Sequence, residues 1–299
     1  MTKLNFSNLH HLFTDEKEAF RFAVDYGLIA DEMNCPRCQN QMKIIKDSNE
    51  RYGQRFRCGK CGKSLAITYS TIFYQSKLPI NKILHLIYCW SLLYSHKQAV
   101  HESNLDKNTV TYYYNVFRSA AETYVMDREI ELIGGINQVV EIDETQVSRR
   151  KNHTGRVLDT VWVFGGICRQ TNKAFAYIVK DRTADSLIPI ILDNIAPGTH
   201  IMSDCWKAYE KIPRGLYIYT NVNHSKNFVN PENGTHTQKI ERFWRELKAQ
   251  KKAQNGWKKG SLQSHICEFI WRYERIRNDL NRAFKETLKL LSSINFNVE

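Results

Sequence analysis

Four cysteines in the first quarter of the chain constrain its fold most strongly. Cys35 and Cys38 form one CxxC pair, and Cys58 and Cys61 form a second one, with 19 residues between the pairs. Two such pairs supply the four thiolates of a tetrahedral zinc site. We therefore predict a zinc ribbon that holds one structural Zn²⁺. A redox-active CxxC is the alternative, but it does not explain why two pairs are present.

The region around the cysteines is basic. Between residues 35 and 69, eight Lys and Arg residues stand against two acidic ones. The whole chain shows the same bias, with 43 Lys and Arg, 31 Asp and Glu, and a formal net charge of +12. Because basic side chains displace counterions from phosphates, this balance favours a nucleic-acid partner. Two alternatives stay open, a protein-contact role for the ribbon and a basic enzyme that does not bind nucleic acid.

Changes in hydrophobic periodicity divide the 299 residues into five segments. They are an N-terminal helical segment (1–32), the zinc ribbon (33–72), a helical, helix-turn-helix-like DNA-binding segment (73–133), an α/β domain (134–260) and a C-terminal helical tail (261–299). In the third segment, three helices with a polar turn before the last are typical of a helix-turn-helix. In the fourth segment, the order β-β-β-α-β-α-β-α predicts a mixed α/β sheet with helices.

The sequence contains no signal for a membrane or for secretion. No apolar run reaches the roughly 20 residues of a membrane span, and residues 1–13 lack the pattern of a signal peptide. The eight cysteines are too unevenly spread for a disulfide framework. We therefore expect an intracellular, reducing compartment and no membrane partner. That compartment is the cytoplasm (nucleoid) in a bacterium or the nucleus in a eukaryote.

Two aspartates of the α/β segment are each expected at the end of a short apolar strand. Asp143 ends Val139–Asp143, and Asp204 follows another such strand. A buried acid at a strand end costs desolvation energy unless a cation pairs with it. Two divalent ions, Mg²⁺ or Mn²⁺, would relieve repulsion between the two acids. A pair of turn or capping aspartates is the alternative. Alternation puts Glu141 on the Asp143 side of the strand and Glu144 on the opposite side.

A third carboxylate lies on a helix that follows a polar stretch. Thr235 and Gln238 fit a capping box at the start of this helix. Glu241 and Lys248 are seven residues apart and fall on nearly one face, with Trp244 on the same stripe. A carboxylate followed by a lysine two turns later can hold a metal and a DNA phosphate together. A surface helix of mixed charge is the alternative.

Four stretches of the α/β segment carry a family pattern. They are Glu141-Ile-Asp143-Glu-Thr, Ser203-Asp204-Cys-Trp206-Lys-Ala-Tyr209, Asn223-His224-Ser225 and His236-Thr-Gln-Lys-Ile-Glu241-Arg-Phe-Trp244. The pattern resembles the Merlin-type DDE transposases and their bacterial ISXO-type insertion-sequence relatives, over about residues 139–255. This resemblance implies an RNase H-like catalytic domain. It also implies that Asp143, Asp204 and Glu241 ligate Mg²⁺, and that Lys248 is the basic catalytic residue.

The resemblance implies cut-and-paste DNA transposition. The expected partner is double-stranded DNA, both transposon ends and target, and the expected assembly is a homo-oligomer on DNA. The ribbon and helices 79–126 are expected to recognise terminal inverted repeats. Candidate DNA contacts are His224, His236, Arg242, Trp244 and Arg245, whereas Trp206 and Tyr209 are expected in the core. Two alternatives are a domesticated, catalytically silent DNA-binding protein and a zinc-ribbon nuclease that cuts without joining.

Overall fold

The computed structural model describes residues 4–127, 131–148, 161–223, 229–231, 234–277 and 279–296. The chain divides into two compact units. The first consists of Met1–Tyr124 with Ile276–Glu299, and the second consists of Val125–Arg275. The five sequence segments, which concern functional boundaries, stay a prediction.

The secondary structure of the described residues follows the chain in this order. The helices are α1 (Phe6–Thr14), α2 (Glu16–Asp25), α3 (Ile80–Ser91), α4 (His96–Ser103), α5 (Lys107–Asp127), α6 (Ala184–Asn194), α7 (Gln238–Ala253), α8 (Leu262–Arg275) and α9 (Leu280–Ser293). The strands are β1 (Lys43–Lys46), β2 (Gln54–Arg57), β3 (Ser64–Ala66), β4 (Ile133–Gly134), β5 (Val139–Ser148), β6 (Val161–Cys168), β7 (Ala174–Val179), β8 (Ile195–Ala196), β9 (His200–Asp204) and β10 (Ile218–Val222).

In the first unit, helices pack around α3. Nearly every residue of α3 is buried, as expected for a helix that is apolar on all sides. The helical stretch predicted near the start of the chain is two helices, because Asp15 ends α1 and caps α2. Its carboxylate accepts hydrogen bonds from the backbone N–H groups of Lys17 and Glu18 at 2.8 and 3.2 Å. At the other end of the chain, α9 adds Phe284 to this core, with its ring 5.5 Å from that of Tyr88.

The turn between α4 and α5 lies where the sequence predicts it. Asn104 ends α4 in the left-handed region, at φ 54°, which asparagine tolerates. Asp106 then accepts hydrogen bonds from the N–H groups of Asn108 and Thr109 at 2.8 and 3.0 Å, and so caps α5. The three predicted helices are therefore present. Their use as a helix-turn-helix belongs to the proposals below.

The second unit contains a mixed five-stranded sheet, which confirms the predicted α/β class. The strand order is β10-β9-β5-β6-β7. Strands β5, β6 and β7 run antiparallel to their neighbours in this group, whereas β9 is parallel to both β5 and β10. Strand β6 reads Val-Trp-Val-Phe-Gly-Gly-Ile-Cys, an almost continuous apolar run. Such a run is typical of a strand that is covered on both faces.

The two faces of the sheet contact different helices. On the α6 face, Val140, Ile142 and Phe164 pack in a buried cluster with Leu187 and Ile191 of α6. On the α7 face, Val147, Val163 and Ile167 pack with side chains of α7 and α8, among them Ile240, Phe243 and Ile266. Among the described residues, no helix is both long enough and apolar enough to cross a membrane.

Candidate active site

The four cysteines come together in the first unit, as their spacing predicts. The Sγ atoms of Cys35 and Cys61 are 3.5 Å apart, and so are those of Cys38 and Cys58. All four sulfurs lie within 4.8 Å of one another. Hydrogen bonds from the backbone N–H groups of residues 61 and 60 lower the pKa of Cys58 to about 6, which favours the thiolate. The cluster therefore offers the donor set that zinc prefers.

Parallel pairing of β5 and β9 sets Asp143 beside Asp204. In this ladder Val140 is opposite Ile201, and Glu141 is opposite Met202. The same register, continued by two residues, brings Asp143 level with Asp204. Residues level in adjacent strands point to the same side of a sheet, and this side is the α7 face. The sequence-predicted pair of aspartates is thus a pair of neighbours in the sheet.

The predicted strand end at Asp143 is wrong. Strand β5 continues to Ser148, and Glu144 and Thr145 pair with Phe164 and Val163 of β6. The polar residues after Asp143 resemble a loop in sequence, but they belong to the paired strand. Asp143 therefore lies inside the β5–β6 ladder, opposite Gly165, whereas Asp204 is the last residue of β9, as predicted.

Helix α7 contributes Glu241, Trp244 and Lys248. Glu241 lies in its exposed first turn, and its Oε1 atom accepts a hydrogen bond from the Thr237 hydroxyl at 3.0 Å. Burial lowers the pKa of Lys248, and the negative charge of Asp143 opposes that decrease, so the two groups are within electrostatic reach. Trp244 is only 3% exposed and packs on the sheet. The structure therefore puts this candidate DNA contact in the core.

Three neighbouring carboxylates act electrostatically on Asp143. Burial is the main cause that raises the pKa of Asp143, the charges of Asp204, Glu144 and Glu241 contribute in that order, and together they bring it to about 8. Burial also raises the pKa of Glu144, to about 6, against the opposing effects of the Tyr209 hydroxyl and the Arg182 charge. Glu144 and Tyr209 lie on the α6 face, which confirms the predicted alternation along β5.

This arrangement fits a divalent cation. Asp143 is surrounded by like charge, which a bound divalent cation would neutralise. Oxygen ligands of this kind are those that Mg²⁺ and Mn²⁺ prefer. Among the residues that the structure describes, the cysteines alone form a group with all ligand atoms within 4.8 Å. The carboxylate oxygens of Asp143, Asp204 and Glu241 are therefore not all within 4.8 Å of one another.

Glu141 anchors the start of α7 instead of facing a metal. Its side chain is fully buried, and its Oε2 atom accepts hydrogen bonds from the backbone N–H groups of Lys239 and Ile240 at 2.8 and 2.9 Å. Its Oε1 atom pairs with Arg169 Nε at 2.6 Å. Arg169 also donates to the carbonyl oxygen of His236 at 2.8 Å. A carboxylate at a helix N-terminus is stabilised by the unpaired N–H groups there.

The predicted capping box at the start of α7 is wrong. The helix begins at Gln238, its N-cap is Thr237, and no side-chain capping bond is made by Thr237. The role assigned to Thr235 and Gln238 is performed by Glu141, which is distant in sequence. Sequence periodicity gives no signal for this contact. The three acids Glu141, Asp143 and Glu144, close together in one strand, are the available hint, since strand alternation gives them different environments.

The remaining DNA-contact candidates lie in different environments. Arg242 and Arg245 are exposed on α7, and Arg242 pairs with Glu246 at 2.8 Å. His236 is half-buried, with its Nδ1 atom 3.7 Å from Glu141. His224 lies outside the described residues.

Trp206 is 37% exposed, which makes its predicted core position wrong, whereas Tyr209 is fully buried as predicted.

Gly165 sets the distance between α7 and the sheet. It pairs with Asp143 across β5 and β6, and an added Cβ atom would lie 2.7 Å from the Trp244 ring and 2.6 Å from the carbonyl oxygen of Phe175. We expect Gly165→Ala to lower the free energy of unfolding by about 1–3 kcal/mol through overpacking. Urea unfolding measures this change. Gly215→Ala is the control, because no atom lies within 4 Å of its Cβ position. Equal stability of the two variants would contradict the prediction.

Comparison with known proteins identifies the second unit. It is an α/β domain with clustered acids, and residues 133–274 match the family model of the ISXO2-like transposase domain. This region is therefore similar to the transposase domains of ISXO-type insertion sequences. An "uncharacterized transposase-like protein" of Haemophilus influenzae is 23% identical over 122 residues, which are 41% of this chain and 93% of that protein.

A solved structure shows a more distant similarity. A chain of the simian T-cell lymphotropic virus intasome, solved by cryo-electron microscopy with the PP2A regulatory subunit B56 gamma, is 15% identical. The aligned region covers 55% of this chain and 57% of that chain, with a TM-score of 0.29. Similarity at this level does not establish a shared fold.

Proposed function

We propose that the chain is a cut-and-paste DNA transposase with an RNase H-like catalytic domain. The main support is that the charges of Asp204 and Glu241 both raise the pKa of Asp143, within a region that matches a transposase family model. The mixed five-stranded sheet is the architecture expected for such a domain. The silent DNA-binding alternative is not favoured, because holding Asp143 among like charges raises its pKa and has no evident structural benefit.

In this proposal, Asp143, Asp204 and Glu241 hold two Mg²⁺ or Mn²⁺ ions. When bound, such ions supply Lewis acidity and neutralise charge at a phosphodiester. The strands fix Asp143 and Asp204, and α7 fixes Glu241. Lys248 holds a phosphate of the DNA strand in line for attack.

Two successive substitutions at phosphorus would follow. Water attacks the phosphodiester at the transposon end, the bond to the 3′ oxygen breaks, and a 3′ hydroxyl is released. That hydroxyl then attacks a phosphodiester of the target DNA, and the strand is joined as another 3′ oxygen leaves. The protein contributes geometry and charge stabilisation, and it forms no covalent intermediate in this scheme.

DNA recognition is assigned to the first unit and to the exposed side of α7. The ribbon and the α3–α5 helices would bind the terminal inverted repeats, with α5 as the candidate recognition helix. Arg242, Arg245 and His236 are proposed DNA contacts near the acids, and His224 keeps that role as a prediction. Joining two transposon ends in one reaction requires at least two copies of the chain on DNA.

A strand-transfer assay tests the proposal directly. The protein is incubated with DNA duplexes that carry the element's own ends, a target plasmid, and Mg²⁺ or Mn²⁺. We expect both nicked ends and end-joined products. DNA binding without cleavage by a folded protein would support the silent alternative instead. Cleavage without joining would support a nuclease.

The cysteine cluster is proposed to bind one structural zinc ion. We expect Cys58→Ser to lose bound zinc and to destabilise the ribbon, because structural zinc contributes about 10–16 kcal/mol to folding of small zinc domains. Elemental analysis of the purified protein measures the zinc content. Cys205→Ser is the control, because Cys205 is exposed and outside the cluster. Full zinc content in Cys58→Ser would contradict the assignment.

A further inference from the structure

An arginine is held between two tryptophan rings beside the acidic site. The guanidinium carbon of Arg182 lies 4.3 Å from the ring centre of Trp162 and 3.8 Å from that of Trp206. The indole N–H of Trp206 donates to the carbonyl oxygen of Arg182 at 2.9 Å, which fixes the two residues relative to each other. Cation–π stacking of this kind occupies the faces of a guanidinium group. Its N–H edge is therefore available for other partners.

The stack is attached to a proposed catalytic residue. The backbone N–H of Trp206 donates to Oδ1 of Asp204 at 2.9 Å. Arg182 follows β7 in a loop that is ordered by Asp181, whose carboxylate accepts hydrogen bonds from the Thr183 and Ser186 hydroxyls at 2.6 and 2.7 Å. The position of the stack relative to Asp204 is therefore set by hydrogen bonds on both sides.

An open groove of about 590 Å³ surrounds the stack. Its charged lining has four basic and two acidic side chains, namely Lys180, Arg182, Lys207, Lys211, Asp181 and Glu210. Within the described part of the chain, the Arg182 guanidinium makes no hydrogen bond or ion pair. Trp206 keeps 37% of its surface exposed although it is a large aromatic residue. The groove thus combines excess positive charge with an exposed aromatic surface.

We propose that this groove binds an unpaired DNA segment next to the phosphodiester that is cut. A base stacks on the exposed surface of Trp206, and the N–H edge of Arg182 binds a neighbouring phosphate. Aromatic stacking plus basic side chains is the general chemistry of single-strand binding, and arginine matches phosphate geometry through paired N–H donors. A duplex offers phosphates but not base faces, so the exposed ring selects an unpaired strand. The statement that this DNA segment adjoins the phosphodiester that is cut rests on the proposed transposase function.

Binding of single-stranded DNA tests the groove without any cleavage. The probe is a fluorescent oligothymidylate of about twelve nucleotides, a length within the range of single-strand binding sites. Its fluorescence anisotropy is recorded with the full chain. The buffer contains an excess of a chelator that binds Mg²⁺ but does not remove zinc, so that no cleavage occurs. We expect Trp206→Leu, which keeps apolar bulk, to weaken binding about tenfold, and Trp206→Phe to restore most of it. Arg182→Ala should weaken binding, and Arg182→Lys should restore only part of it.

Several outcomes would overturn the inference. The first is that Trp206→Leu binds the probe as tightly as the wild type and melts at the same temperature. The second is that Trp206→Leu weakens binding of a duplex of the same length by the same factor. The third is that oligoglutamate displaces the probe as readily as unlabelled oligothymidylate does. The last result would indicate an acidic-peptide site. Trp206-dependent binding by a protein that performs no strand transfer would contradict the proposed function alone. If the wild-type protein performs strand transfer but substitution of Trp206 leaves single-strand binding unchanged, this inference alone is contradicted.

Discussion

Asp143→Asn is expected to reduce strand cleavage and joining by on the order of 10³-fold or more, because it removes a central ligand of the proposed metal site. The substitution keeps the size of the side chain, so β5 should pair as before. Cleavage and joining of labelled transposon ends in Mg²⁺ measure the effect. Asp185→Asn is the control, since its carboxylate is on the surface of α6 with only a weak ion pair to Lys211 at 3.9 Å. Cleavage at the wild-type rate by Asp143→Asn would exclude the proposed catalytic role.

The same substitution, Asp143→Asn, is expected to increase the stability of the folded protein at high pH although it removes activity. The pKa of Asp143 is raised from an ordinary value of 3.8 to about 8 by burial and by neighbouring acids. The folded state therefore binds this proton more tightly than the unfolded chain does, and the resulting stabilisation is lost as pH rises from about 4 to 8. Without divalent ions at pH 9, we expect Asp143→Asn to melt at a higher temperature than the wild type. A lower melting temperature would contradict this.

Glu141→Ala is expected to destabilise the second unit by about 3–5 kcal/mol, because it leaves the Arg169 guanidinium and two N–H groups of α7 without their shared acceptor. The start of α7 would then move, and Glu241 with it, so strand transfer should also decrease. Urea unfolding measures the stability. The matched control is Glu246→Ala, which breaks the more exposed Arg242–Glu246 pair and should cost less than about 1 kcal/mol.

A double-mutant cycle separates the ion pair from the helix cap. If Glu141 acts mainly through Arg169, then Glu141→Ala combined with Arg169→Ala should be hardly less stable than either single variant. If it acts mainly through the N–H groups of α7, the two changes should be nearly additive. Similar stability of Glu141→Ala and Glu246→Ala would contradict the anchoring role altogether.

Local patterns in the sequence predicted local structure well. The cysteine spacing predicted the gathered thiolates, since each CxxC pair closes its own turn. Hydrophobic periodicity predicted the mixed α/β character of the second unit and a polar turn before the last of three helices, which the structure has between α4 and α5. Alternation along β5 correctly divided Glu141 from Glu144. In each case the residues that determine the structure are close together in the chain.

The errors concern contacts between distant residues. Strand β5 extends past Asp143 because β6, which begins only at Val161, pairs with it. The cap of α7 comes from Glu141, about a hundred positions earlier. Trp244 is buried because Gly165 has no side chain at the point of contact. Trp206 is exposed because it stacks on Arg182 at the surface. No periodicity within one segment encodes any of these pairings.

The discontinuity of the first unit has a consequence for biosynthesis. The Phe284 ring of α9 lies 5.5 Å from Tyr88 and 6.2 Å from Phe22, so these residues cannot complete their packing until the end of the chain is made. The whole of Val125–Arg275 is synthesised in between. At 5–20 residues per second, this delay lasts roughly 8–30 seconds, much longer than helix formation. During translation, the second unit can therefore finish folding before the first unit, although the first unit begins earlier in the chain.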